Sequence, residues 1–253
     1  MIVAVDVRVS ASDDRLMEGL TLRTIAGVAG ILTFVCFLLG IPFMVIGGVQ
    51  VLIPETGKNG LDWIADANDA SGLFFAGAWL VILGGIVGLV SLVALYDVLK
   101  PAGAVIILAP VLGAVGLTLV TISHLIPIAM AYELAPGYTS AQPATQASLA
   151  VTSDTLAAIS LVLNYVGDAL GWGVVVPLYA WAILKTSAIP RWIGWLGFIV
   201  AFFAGWLGLL APASSIVDGL TTIGFFAFFI FMASIGVALL RRPAPSAAAA
   251  VSS

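Results

Sequence analysis

Charge is what this sequence has least of: 9% of its 253 residues are Asp, Glu, Lys or Arg, against about a quarter in soluble domains. A water-surrounded globular fold is excluded on that ground, since a chain of this length has no interior large enough for so much apolar surface. The nine basic residues never form a run, so the electrostatic footprint of a nucleic-acid binder is missing. Cys36 is the one cysteine, which excludes an intrachain disulfide and reads as a small apolar residue inside a hydrophobic run. His124 is the one histidine, which excludes a His-rich metal centre and the paired histidines of a metalloprotease helix. No Gly-rich phosphate loop followed by Lys occurs. Lys is absent from every apolar run, which excludes the Schiff-base lysine of a retinal pump. Nothing in these patterns implies a metal or other cofactor.

What is there is hydrocarbon: 62% hydrophobic residues and a mean hydropathy of +1.18. Runs of about 20 apolar residues match a hydrocarbon layer of roughly 30 Å. The apolar runs and their punctuation predict an all-α polytopic membrane bundle of six spans, near Thr24 to Leu52, Leu73 to Tyr96, Gly103 to Tyr132, Thr155 to Leu184, Trp192 to Leu210 and Ser215 to Leu240. Residues 1–23 read as a cytoplasmic N-terminal segment, 24–242 as the membrane domain and 243–253 as a disordered tail of small uncharged residues. The first 23 residues mix acids and bases, and the run after Arg23 exceeds a signal-peptide core, so it reads as a retained span. Pro101, Pro190, Pro212 and Pro243 punctuate the spans, while Pro42, Pro110, Pro127 and Pro177 lie inside them and predict kinks.

Eight of the nine basic residues fall on one side of this topology, namely Arg8, Arg15, Arg23, Lys100, Lys185, Arg191, Arg241 and Arg242. By the positive-inside rule that side is cytoplasmic and carries both termini, which suits a multi-pass protein of a bacterial inner membrane. Lys58 alone lies opposite, among Glu55, Asp62, Asp66 and Asp69. In that loop Leu61, Trp63 and Ile64 predict a short amphipathic helix lying in the membrane interface, or a connector anchored there by Trp63. Gly84 with Gly88, and Gly167 with Gly171, predict close helix contacts. The cluster Phe225, Phe226, Phe228, Phe229 and Phe231 predicts lipid or subunit contact.

An ionisable side chain deep in a span marks a candidate site, because hydrocarbon disfavours it. Asp168 lies ~21 Å along span four from the outer end, Asn164 ~15 Å along it, and His124 ~14 Å along span three, so their depths match. Asn164 and Asp168, one turn apart, share a face. Thr121 and Thr118 extend the polar face of span three, and Tyr165 and Trp172 border that of span four. An acid in such surroundings stays neutral unless donors or an opposite charge hold it ionised. A pocket between spans three and four made of Asp168, His124, Asn164, Thr121 and Tyr165 would bind or move a proton, a small solute or a lipid headgroup. The alternatives are a hydrogen-bond network that fixes helix register, an accessory or scaffold subunit docking on a membrane partner or a second copy, and an intramembrane enzyme acting on lipid. Asp97, Glu133 and Asp218 sit at span ends and read as interfacial. No catalytic arrangement emerges, since Ser123 adjoins His124 but helix neighbours point in different directions.

At the entry to span five, Ser187-Ala188-Ile189-Pro190-Arg191-Trp192-Ile193-Gly194-Trp195-Leu196-Gly197 resembles a segment typical of an uncharacterised family of small bacterial six-helix membrane proteins, known as a domain of unknown function. The resemblance implies the six-helix fold and carries over no catalytic residue. Physically the motif is an anchor: Pro190 starts the helix, Arg191 holds it at the cytoplasmic face, and Trp192 and Trp195 sit at headgroup depth.

Overall fold

The computed structural model describes residues 22–49, 52–54, 60–213 and 215–241. Among these residues there is no strand. Six helices are long and apolar enough to cross a membrane: Leu22–Ile46, Gly72–Ala102, Ala104–Tyr138, Pro143–Thr186, Arg191–Leu210 and Gly219–Arg241. Their outward faces are as apolar as their buried ones, with Leu38, Ile86, Val162 and Phe226 among many large exposed hydrophobic side chains. A helix apolar on every side belongs in lipid, and the chain is a multi-pass helical membrane protein. Expectations for the N-terminal residues up to 21, for Glu55 and Lys58, for the Asp218 side chain, and for Arg242, Pro243 and the tail lie outside the described residues.

The span boundaries differ from expectation where backbone chemistry overrides hydropathy. Span one stops at Ile46, short of Leu52, because Gly48 adopts φ +105°, a left-handed turn that side chains resist. The chain then doubles back, and the Gly47 carbonyl accepts from the Ser71 N–H at 2.9 Å. Span two runs on through a 3-10 turn holding Pro101, and Gly103 at φ +133° breaks it. Pro110 falls in the first turn of regular helix beginning at Leu108, where a missing N–H costs little, so it does not kink span three. The loop from Glu133 to Asp154 is largely helical: a short turn spans Ala135–Tyr138, and span four already begins at Pro143. Proline in the first turn and the helix-favouring Gln, Ala and Leu that follow explain that early start.

Span four carries a π-helical segment, Gly171–Val175, that ends two residues before Pro177. Proline has no N–H to offer the Gly173 carbonyl one turn back. That carbonyl instead accepts from the Trp206 indole N–H at 3.0 Å. Trp206 closes a second π segment, Ala201–Trp206, in span five. The two segments cross at Gly173 and Gly205, where a methyl on Gly205 would lie 2.5 Å from the Gly173 nitrogen. Pro127 creates the same need in span three: the Ser123 carbonyl lacks a helical donor and accepts from the buried Ser160 hydroxyl at 2.6 Å. Both prolines thereby convert a local defect into a bond between neighbouring spans.

Two sequence readings are corrected here. The short helix Gly60–Asn68 does form, but Trp63 and Ile64 pack on protein. Trp63 and Ile64 are 2% and 0% exposed and join a core cluster with Phe74, Ile82 and Met130, while Asp62, Asp66 and Asp69 face outward. Trp63 and Ile64 are therefore core residues, while the Leu61 side chain lies outside the described residues. The Phe cluster of span six also turns inward: Phe229 and Phe231 are buried, Phe225 and Phe228 half-buried, and only Phe226 of the five is exposed. Of the paired glycines, Gly84 and Gly88 meet span one at Cys36 and Thr33, and Gly167 meets Gly116, but Gly171 has open space beside it.

The described basic residues, Arg23, Lys100, Lys185, Arg191 and Arg241, all stand at one end of the bundle. They tie that end together, with Arg23 Nε donating to the Leu239 carbonyl at 3.0 Å and Lys185 Nζ to the Ala102 carbonyl at 2.7 Å. Asp97 pairs with Lys100 there, in keeping with its reading as a span-end residue.

Candidate functional site

Spans three and four cross at Gly116 and Gly167, where a methyl on Gly167 would lie 2.7 Å from the Gly116 carbonyl oxygen. That approach brings the polar side chains of the two spans within hydrogen-bond reach. Asn164 Nδ2 donates to Asp168 Oδ2 at 2.7 Å. The Ser123 hydroxyl donates to the Val120 carbonyl at 2.7 Å, with the Asn164 amide oxygen a second acceptor at 3.3 Å. His124 faces the same Val120 carbonyl. With the Ser160 bond to Ser123, a polar seam runs from Ser160 through Ser123 and Asn164 to Asp168.

Two chambers meet at this seam. The inner one, of about 100 Å³, lies among spans one, two, three, four and six and owes its room to glycine: Gly84, Gly88, Gly113, Gly116 and Gly171 are part of its wall. The outer one, of about 340 Å³, lies towards the end opposite the basic residues and is bordered by Tyr165, Gly208, Leu209, Thr221 and Thr222, of which Leu209 and Thr222 are exposed at the rim. Phe37, Val81, Val120, His124, Asp168 and Trp172 line both chambers. Asp168 and His124 therefore stand where the two join, and among the described residues no ion pair links them. Asp168 Oδ1 has no hydrogen-bond donor among the described residues, its partner Asn164 being taken up by Oδ2.

The expected residues divide as follows. Asp168 and His124 line both chambers, Thr121 the inner one, and Asn164 and Tyr165 the outer one. Thr118 is not part of the group: it is exposed and bonded to the Ala114 carbonyl of its own helix. The sequence reading weighed Ser123 only as a neighbour of His124 and missed Ser160. Their signal was present, since Ser160, Asn164 and Asp168 repeat at four-residue spacing and Pro127 follows Ser123 by four. It also missed Phe37, Thr221 and Thr222, which reach the site from spans one and six. Among the described residues no three His, Cys, Asp or Glu side chains gather as a metal cage requires.

Chemically the arrangement offers one carboxyl group, one imidazole, amide and hydroxyl groups, and aromatic walls. It can hold or pass a proton and can seat a small polar molecule. Among the described residues the Ser123 hydroxyl donates to the Val120 carbonyl and not to His124. No curated protein and no solved structure matches the chain. The profile of one family, described as a domain of unknown function (DUF4386), matches residues 25–242, and this six-span membrane protein belongs to that family.

Proposed function

We propose that this protein lies in the bacterial inner membrane with its basic end in the cytoplasm, and that it binds and moves a proton or a small solute at Asp168, reached from the outer face. The observation that carries the reading is the position of Asp168 at the junction of two chambers, with Asn164 bonded to one carboxyl oxygen and no donor to the other among the described residues. An acid inside a membrane bundle is costly to keep, so its retention beside an accessible space favours use over mere packing. Asn164 holds and orients one carboxyl oxygen, leaving the other for the occupant. The clustering of basic residues at the far end supports the orientation. A buried network that only fixed helix register would have its polar atoms satisfied within the protein, whereas Asp168 borders both chambers with one donor among the described residues.

Dicyclohexylcarbodiimide, an apolar reagent that adds to protonated carboxyl groups away from bulk water, tests this reading. The expected result is one adduct per chain on the peptide holding Asp168, forming more slowly as pH rises because the carboxylate form does not add. Asp168→Asn should abolish the adduct while unfolding at the temperature of the native chain. An unlabelled Asp168 in the folded protein would overturn the reading. A variant that loses its fold together with its labelling would assign the seam to helix register instead.

A further inference from the structure

We infer that the occupant of the outer chamber is a small organic monocation, an alkylammonium or quaternary ammonium ion; this rests on the proposed role of Asp168. Three features of the wall point to that class. First, Asp168 brings a carboxyl group with a single hydrogen-bond donor, Asn164, among the described residues, and among those residues neither chamber has Lys or Arg in its lining. His124 is the other titratable group between the chambers, and among the described residues it forms no ion pair with Asp168. A positive charge entering from outside thus finds an acid without a competing cation.

Second, the walls beside Asp168 are aromatic. Phe37, Trp172 and Phe225 border the outer chamber together, with Trp172 and Phe225 meeting edge to face at 5.8 Å and Phe37 and Phe225 at 6.3 Å. Ring faces attract cations, most strongly where water is excluded, and aromatic cages are a recurring way of holding quaternary ammonium groups. They do nothing comparable for an anion, which the ring quadrupole repels. Third, the chamber's volume of about 340 Å³ lies within the range of small-molecule sites, roughly 300–1,000 Å³. An inorganic cation would want a shell of several oxygen ligands gathered round it, whereas the outer wall has a single carboxyl group, set beside aromatic rings. The hydroxyl-bearing Thr221 and Thr222 line the approach, which suits an ion losing its water in stages.

The purified full-length protein in detergent, titrated with choline and with dimethylbutanol, choline's uncharged carbon analogue, provides the test by calorimetry. Choline should bind at least about tenfold tighter than the neutral analogue, Asp168→Asn should remove that preference, and Trp172→Leu should weaken choline while carbodiimide labelling of Asp168 persists. Bound choline should also slow that labelling. Equal binding of the two probes, or choline binding unchanged in Asp168→Asn, would contradict a cation site. If neither probe binds while Asp168 is still labelled, the organic-cation inference fails and the proton reading stands; if Asp168 is not labelled at all, both fail.

Discussion

Gly167→Ala should drive spans three and four apart, at a cost of ~1–3 kcal/mol for forcing a methyl into a filled crossing. The added carbon would lie 2.6 Å from Val120 Cγ2 and 2.7 Å from the Gly116 carbonyl oxygen. A side chain can rotate away, but a helix carbonyl cannot, so the spans themselves must shift. The shift falls on the seam, because the Ser123 to Asn164 contact spans the same crossing at 3.3 Å and is already long. Thermal unfolding in detergent should therefore show a lowered midpoint, and the carbodiimide adduct at Asp168 should change in rate. Gly171→Ala is the internal control. It lies one turn along the same helix with nothing within 4 Å of its added carbon, and its midpoint should stay close to native. Equal effects at the two positions would mean that the crossing is not the contact described.

The second large effect is expected from Ser160→Ala. Its hydroxyl is the donor recorded for the Ser123 carbonyl, which Pro127 deprives of a helical partner, and Ser160 is fully buried. Removing it leaves a buried carbonyl unsatisfied, at ~1–3 kcal/mol. The cause is testable by a double-mutant cycle. Pro127→Ala restores an N–H four residues beyond Ser123, so Ser160→Ala made in that background should cost much less than in the native chain. If the two losses simply add, the serine does not compensate the proline. The Trp206 indole stands in the same relation to Pro177 and Gly173, which makes the pattern a general device of this bundle rather than an accident of one residue.

The number of spans and the segregation of basic residues were legible in the sequence because both follow from the cost of placing charge in hydrocarbon, which acts locally. Asp168, Asn164 and His124 were legible for the same reason, each being a polar residue in an apolar run. What was not legible depends on what lies opposite. Hydropathy cannot tell that Trp63 meets protein and not headgroups, since both reward a large amphipathic ring. It does not register the helix from Pro143 to Asp154, whose residues are polar enough to resemble a loop but favourable enough to remain helical. The inward turn of Phe225 and Phe229 depends on their contact with Phe37, a residue far away in the sequence. The site itself was placed between two spans, whereas its chambers draw on all six, because glycines that read as packing contacts in one dimension open space in three.

The proposed role of Asp168 requires a carboxyl group held inside the helical bundle yet touched by water. Infrared difference spectroscopy of the reconstituted protein against Asp168→Asn observes that group directly. A single carboxylic-acid carbonyl band should appear as pH is lowered, shift on exchange into deuterated water, and be missing from the variant. Identical spectra from the two proteins, or an Asp168 band that ignores deuterium, would contradict it.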